Sequence, residues 1–111
     1  MAFPCALFAF LLFAPQQDFL ADGLKSLDAN QPAAAETLFR HAVEADANDF
    51  SAHFNLALAL SLQGKDPEAI QELRRTLELK PALYQADMNL ATLLLRNKRP
   101  AEALPVLMNG L

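Results

Sequence analysis

Few side chains in this 111-residue chain are of types that do covalent or metal chemistry. Two histidines, His41 and His53, and one cysteine, Cys5, are the candidate nucleophiles and ligands. A metal site or a base-assisted nucleophile needs such groups to converge at fixed spacing. His41 and His53 instead stand alone in different helical stretches, neither within a His-Glu-x-x-His pattern, and each reads as a solvent-facing or packing residue. With a single cysteine there is no disulfide framework, no redox pair and no multi-cysteine zinc site. No glycine-rich phosphate loop is present. Asp46 and Asp49 have the spacing of a carboxylate pair, but they fall where the pattern breaks, as caps and turns do. Catalytic residues, metals and cofactors are therefore not expected, and the chain reads as non-enzymatic.

Two other groups of polar residues merit a chemical reading. Arg96, Lys98 and Arg99 put three cations within four residues. Such a cluster suits the end of a helix, where cations complement the dipole; contact with a phosphate or an acidic lipid is the other reading. Asn55 and Asn89 carry amides with both donor and acceptor, able to pair with the backbone of an extended peptide whatever its sequence. Bonding within their own segment, or to solvent, is the alternative.

Composition says which elements must position these residues. Of 59 hydrophobic residues, 43 are Ala (21) or Leu (22), whereas Val and Ile together number three. Helices favour Ala and Leu and strands favour β-branched residues, so the expected fold is all-α. A net charge of −4 argues against a nucleic-acid binder, which needs a basic face to meet phosphates. Residues 18–49 carry seven acids and two bases, residues 50–111 six acids and seven bases.

A shift of 34 residues brings the chain onto itself. Asn55-Leu56-Ala57 falls on Asn89-Leu90-Ala91, and Glu68-Ala69-Ile70 on Glu102-Ala103-Leu104. Leu60 meets Leu94, and Leu73 meets Leu107; shifted back, Gly23, Ala35, Phe39, Ala42 and Val43 land on Ala57, Ala69, Leu73, Thr76 and Leu77. Three units follow: 16–49, degenerate; 50–83; and 84–111, incomplete. Each holds two helical patterns split by breakers. In the middle unit the first helix is apolar nearly all round and stops at Gln63-Gly64-Lys65, glycine accepting the left-handed conformation past a helix end. Asp66 is expected to cap the second helix, with Pro67 at its first position. Ala69, Leu73, Thr76 and Leu77 then give one buried stripe, and Pro81 closes the unit. Pro32 and Pro100 punctuate the other two.

This pattern resembles the tetratricopeptide repeat (TPR) family, whose 34-residue unit is a pair of antiparallel helices. Leu56, Ala57, Leu60, Ala69, Leu73 and Pro81 stand where the family places its large, small, large, small, large and proline residues. The third unit matches through Leu90, Ala91, Leu94, Ala103 and Leu107; in the first, Asp22 replaces a core Leu, Ser26 a large apolar residue and Ala47 the closing proline. The resemblance implies a right-handed α-solenoid of about three units with a concave partner-binding surface. Carried over position by position, it implies a groove of Leu20 and Leu24, then Phe54, Asn55, Leu58 and Leu62, then Gln85, Met88, Asn89, Thr92 and Arg96. The partner implied is a peptide or helical segment of another protein. Members that clamp the acidic C-terminal tail of cytosolic chaperones use Lys and Arg beside Asn. The matching positions here read Leu20, Leu24, Asn55, Gln85 and Asn89, where a carboxylate would be desolvated without a cation. That subtype is not expected.

The two ends leave alternatives open. Ala2 to Ala14 is a nearly unbroken apolar run, about 20 Å long as a helix against a bilayer core of roughly 30 Å. Residues 1–15 read as a signal peptide, which makes an exported, periplasmic or membrane-associated protein the favoured location. A retained segment that packs on the domain or touches a membrane, an artefact of the start site, and a cytoplasmic protein are the other readings. Leu104, Leu107 and Leu111 would form an apolar end face. Two rivals to the interaction module follow: a scaffold or assembly protein associating with itself through that face, and an N-terminal fragment of a larger enzyme.

Overall fold

The computed structural model describes residues 17–109; the apolar run 2–14 and the end-face residue Leu111 lie outside them. Six helices follow one another: α1 (Phe19–Asp28), α2 (Pro32–Ala45), α3 (Phe50–Leu62), α4 (Asp66–Leu79), α5 (Tyr84–Arg96) and α6 (Pro100–Asn109). The 34-residue period is kept to the residue at the inner turns. Helices α1, α3 and α5 end at 28, 62 and 96, and α2, α4 and α6 begin at 32, 66 and 100. Helix α1 starts at Phe19, where the Asp18 carboxylate accepts the Ala21 N–H at 3.1 Å.

Each inner turn is made by the same device. The N–H of Gln31, Lys65 and Arg99 reaches back to the carbonyl of Ser26, Leu60 and Leu94 at 2.8, 2.9 and 2.8 Å. Between donor and helix end sits one left-handed residue: Asn30 (φ 57), Gly64 (φ 75) and Lys98 (φ 59). These are three Schellman closures, which satisfy carbonyls that a helix end otherwise leaves open. Gly64 fulfils the expectation drawn from the sequence.

The expected cap is placed differently. Helix α4 begins at Asp66 itself, Lys65 is the half-in residue, and no side chain caps the end. The Asp66 carboxylate turns to the next unit, accepting from Arg96 Nε at 2.9 Å and Asn97 Nδ2 at 2.8 Å. The guanidinium meets both carboxylate oxygens with two N–H donors and a full positive charge, where a cap would offer a single neutral backbone donor.

The core runs along the stack. Helix α3 buries Ala52, His53, Leu56, Ala57, Ala59 and Leu60, because it has a neighbour on each side. Its alanines let the backbones approach, and Leu73 of α4 fills the space beside Ala57. The first unit reaches the same fit with different volumes. A Cβ on Gly23 would overlap the ring of Phe39, which is fully buried, so Gly23 and Phe39 share the volume that Ala57 and Leu73 share one unit later. Each helix packs chiefly on its neighbours in sequence, α1 also touching α3, and the α4–α5 junction is the sparsest. Such a stack is quasi-one-dimensional. Among the described residues no helix is long and apolar enough to cross a membrane.

Candidate partner-binding groove

The first helices of the second and third units bring side chains together across a narrow cleft of about 100 Å³. Leu58 of α3 and Asn89, Thr92 and Arg96 of α5, all among the expected groove residues, line it with Ala57, Ser61, Leu73 and Leu93. Helical spacing explains the grouping: 89, 92, 93 and 96 lie on one face of α5, as 57, 58 and 61 do on α3.

The two equivalent asparagines are not alike. Asn55 is half-buried and its Nδ2 donates to the Ser51 carbonyl at 2.9 Å, within its own helix. Asn89 is exposed, and its amide makes no hydrogen bond among the described residues. The Thr92 hydroxyl donates to the Met88 carbonyl at 2.8 Å. Arg96 is committed: besides Asp66 it approaches the Ser61 hydroxyl at 3.5 Å. The hydrogen bond from Arg96, then that from Asn97, holds the Asp66 carboxyl below its ordinary range, and the same bond raises Arg96. A guanidinium so neutralised offers an incoming carboxylate little.

The remaining expected residues scatter around this cleft. Leu20 and Phe54 are half-buried against the core, whereas Leu24, Leu62, Gln85 and Met88 are exposed. None of these six lines the cleft. Phe54 and Met88, equivalent by the repeat, thus differ: the first is largely spent on packing and the second faces outward. Sequence reasoning missed Ser61 and Leu93, and also Leu95, which is 52% exposed on α5. Steps of four and three from Met88 through Thr92 to Leu95 were the available signal.

The other singled-out residues have structural roles. His53 is buried, its Nδ1 2.6 Å from the Glu72 carboxylate and its Nε2 2.8 Å from the Ala47 carbonyl. His41 is exposed and lies against the Phe19 ring, centroids 5.1 Å apart. Asp49 caps α3 by accepting the Ser51 N–H at 2.9 Å, and Asp46 accepts the Asn48 N–H at 3.0 Å in the turn before it. In the basic cluster, Arg99 pairs with Glu102 at 2.6 Å and Lys98 occupies the left-handed turn position.

The repeat and its fold have counterparts among known proteins. A family model described as tetratricopeptide repeat matches residues 23–84 and 69–107. The chain is 36% identical over 81 residues to DnaJ homolog subfamily C member 3 of Rattus norvegicus, covering 73% of this chain and 16% of that protein. Among solved structures, MamA is 26% identical over 94% of this chain and 58% of its own, with a TM-score of 0.80. YrrB, described as a TPR protein with an unusual peptide-binding site, is 24% identical over 95% of this chain and 56% of its own, with a TM-score of 0.79. The type III secretion translocator chaperone SycD of Yersinia enterocolitica is 16% identical over 83% of this chain and 63% of its own, with a TM-score of 0.80. The chain thus spans about one sixth of the rat relative and between 56% and 63% of these solved chains.

Proposed function

The chain belongs to the tetratricopeptide repeat family, and from that premise we propose that it is a non-catalytic interaction module that holds an extended peptide segment of a partner protein along α3 and α5. The family serves generally in protein interaction, and the peptide-binding site named for YrrB accords with that role. The observation that carries the reading is Asn89: an exposed amide without a hydrogen-bond partner among the described residues, lining a cleft, with the exposed Met88 and Leu95 together to one side of it on the same helix. An amide at that place pairs with peptide backbone, and the apolar neighbours accept its side chains. Selection of a random peptide library against the immobilised protein tests it. Enriched peptides should bind at least tenfold more weakly to Asn89→Ala, with helix content and melting temperature unchanged. Absence of enrichment, or binding indifferent to Asn89, overturns the reading.

One observation favours self-association as a second activity. Leu104 and Met108 on α6 are 59% and 64% exposed, although Ile70, the equivalent of Leu104, is buried. Light scattering should then show a concentration-dependent dimer that Leu104→Glu abolishes. Leu104 is the better probe than Leu107, which is half-buried and would confound assembly with folding. We also propose export from the cytoplasm, on the apolar run 2–14 alone; an intact mass lighter by about fifteen residues in an extracytoplasmic fraction is the expected result.

A further inference from the structure

The repeat supplies its own control for a second site. His53 and Asp87 are equivalent positions, 34 residues apart, on α3 and α5. In the second unit the position is saturated internally: His53 lies between Glu72 and the Ala47 carbonyl. In the third unit Val106 stands where Glu72 stood and Pro81 where Ala47 stood. Asp87 is 5% exposed, yet its carboxylate has no hydrogen-bond or ion-pair partner among the described residues. It lines an open cleft of about 600 Å³ between α4, α5 and α6, with Arg74, Leu77, Glu78, Leu90 and Val106.

Two acids, Glu78 and Asp87, and one base, Arg74, line this cleft. Arg74 is paired with Glu102 at 2.8 Å, a carboxylate that Arg99 shares, and Glu78 with Arg75 at 2.9 Å, whereas the Asp87 carboxylate has no ion-pair partner among the described residues. The Asp87 oxygens keep contact with solvent through the open cleft, and their place in the first turn of α5, where the helix dipole favours negative charge, stabilises the charged form in the free protein. Apolar walls around one unpaired acid suit a long side chain with a cationic head. We propose that this cleft receives a lysine or arginine side chain of a partner protein, its methylenes along Leu77, Leu90 and Val106 and its charge on Asp87. The site is separate from the groove between α3 and α5 and does not depend on it.

The test uses the whole chain and three acetylated, amidated tripeptides, Ala-Lys-Ala, Ala-Norleucine-Ala and Ala-Glu-Ala, titrated while the methyl resonances of Leu77, Leu90 and Val106 are followed. The lysine peptide should shift them saturably, with at least tenfold higher affinity than the norleucine peptide and no binding by the glutamate one. Asp87→Asn, close to isosteric, should remove that preference. The double variant Asp87→His with Val106→Glu rebuilds the second unit's internal pair; it should fold with an undiminished melting temperature and lose lysine binding. Equal binding of norleucine and lysine, a lysine preference surviving Asp87→Asn, or no shift with the lysine peptide overturns the proposal. The groove reading is scored on other residues, at Asn89, so failure of one leaves the other standing.

Discussion

At the scale of single residues, fit is set by pairs rather than by individual side chains. Gly23 was legible as the counterpart of Ala57, but its necessity was not, because that depends on the ring of Phe39 sixteen residues later in the adjoining helix. In an exposed helix Gly→Ala is favourable by roughly 0.5–1 kcal/mol. Here the buried ring cannot move, and the sign reverses: Gly23→Ala should destabilise by about 1–3 kcal/mol, as overpacking does. Gly23→Ala with Phe39→Leu reproduces the pair found at Ala57 and Leu73 and should recover most of that loss. A double-mutant cycle in urea checks this, and simple additivity of the two losses would refute it. The partners of Asp66 were equally hidden. A sequence shows a good capping residue in place before Pro67, but not an arginine and an asparagine brought back from thirty residues on.

At the scale of elements, the boundaries were the most readable feature, since period, proline and turn residues coincide. Helix α6 breaks the pattern. Pro105 lies inside it, where the second unit has Gln71. An interior proline removes one backbone hydrogen bond and crowds the preceding turn, at a cost of about 3 kcal/mol in a well-ordered helix; near a helix end part of that is already lost to fraying. Pro105→Gln should therefore stabilise the chain by about 1–2 kcal/mol, a rise of several degrees in melting temperature. An unchanged or lower melting temperature would show that the ring itself is needed for packing. The groove was half legible: the repeat identified the correct helices and four cleft residues, while Phe54 and Leu20 had been claimed by the core.

At the scale of the whole molecule, the units are held by polar links that periodicity in part discloses. Arg40 pairs with Glu68 at 3.0 Å, and the same link one period later joins Arg74 to Glu102 at 2.8 Å. Both are exposed and worth at most about 1 kcal/mol each. The joint between the first and second units has in addition Glu36, which accepts from Arg40 at 2.9 Å, Lys65 at 3.0 Å and Gln63 at 2.9 Å. Desolvation raises this carboxyl, but the hydrogen bonds from Lys65, Arg40 and Gln63 together outweigh it and bring it from 4.5 down to about 2. A depressed acid stabilises the folded state above its unfolded value and loses that contribution as pH falls through the folded one. The joint should thus be at full strength above about pH 4.5 and lose about 1 kcal/mol, after allowance for screening of the exposed cations, as pH drops towards 2. Glu36→Gln should cost that amount at pH 7 and nothing near pH 2; a pH-independent difference in urea midpoints would contradict it.

The recurrence of the Arg40–Glu68 link as Arg74–Glu102 makes length an editable property of this protein. A second copy of residues 50–83 spliced in after Leu83 would bring Arg74 of one copy opposite Glu68 of the next, so each added unit carries the means of its own attachment. Residues 50–83 are in that sense a part with matched ends, and the span a partner must cover can be lengthened one part at a time.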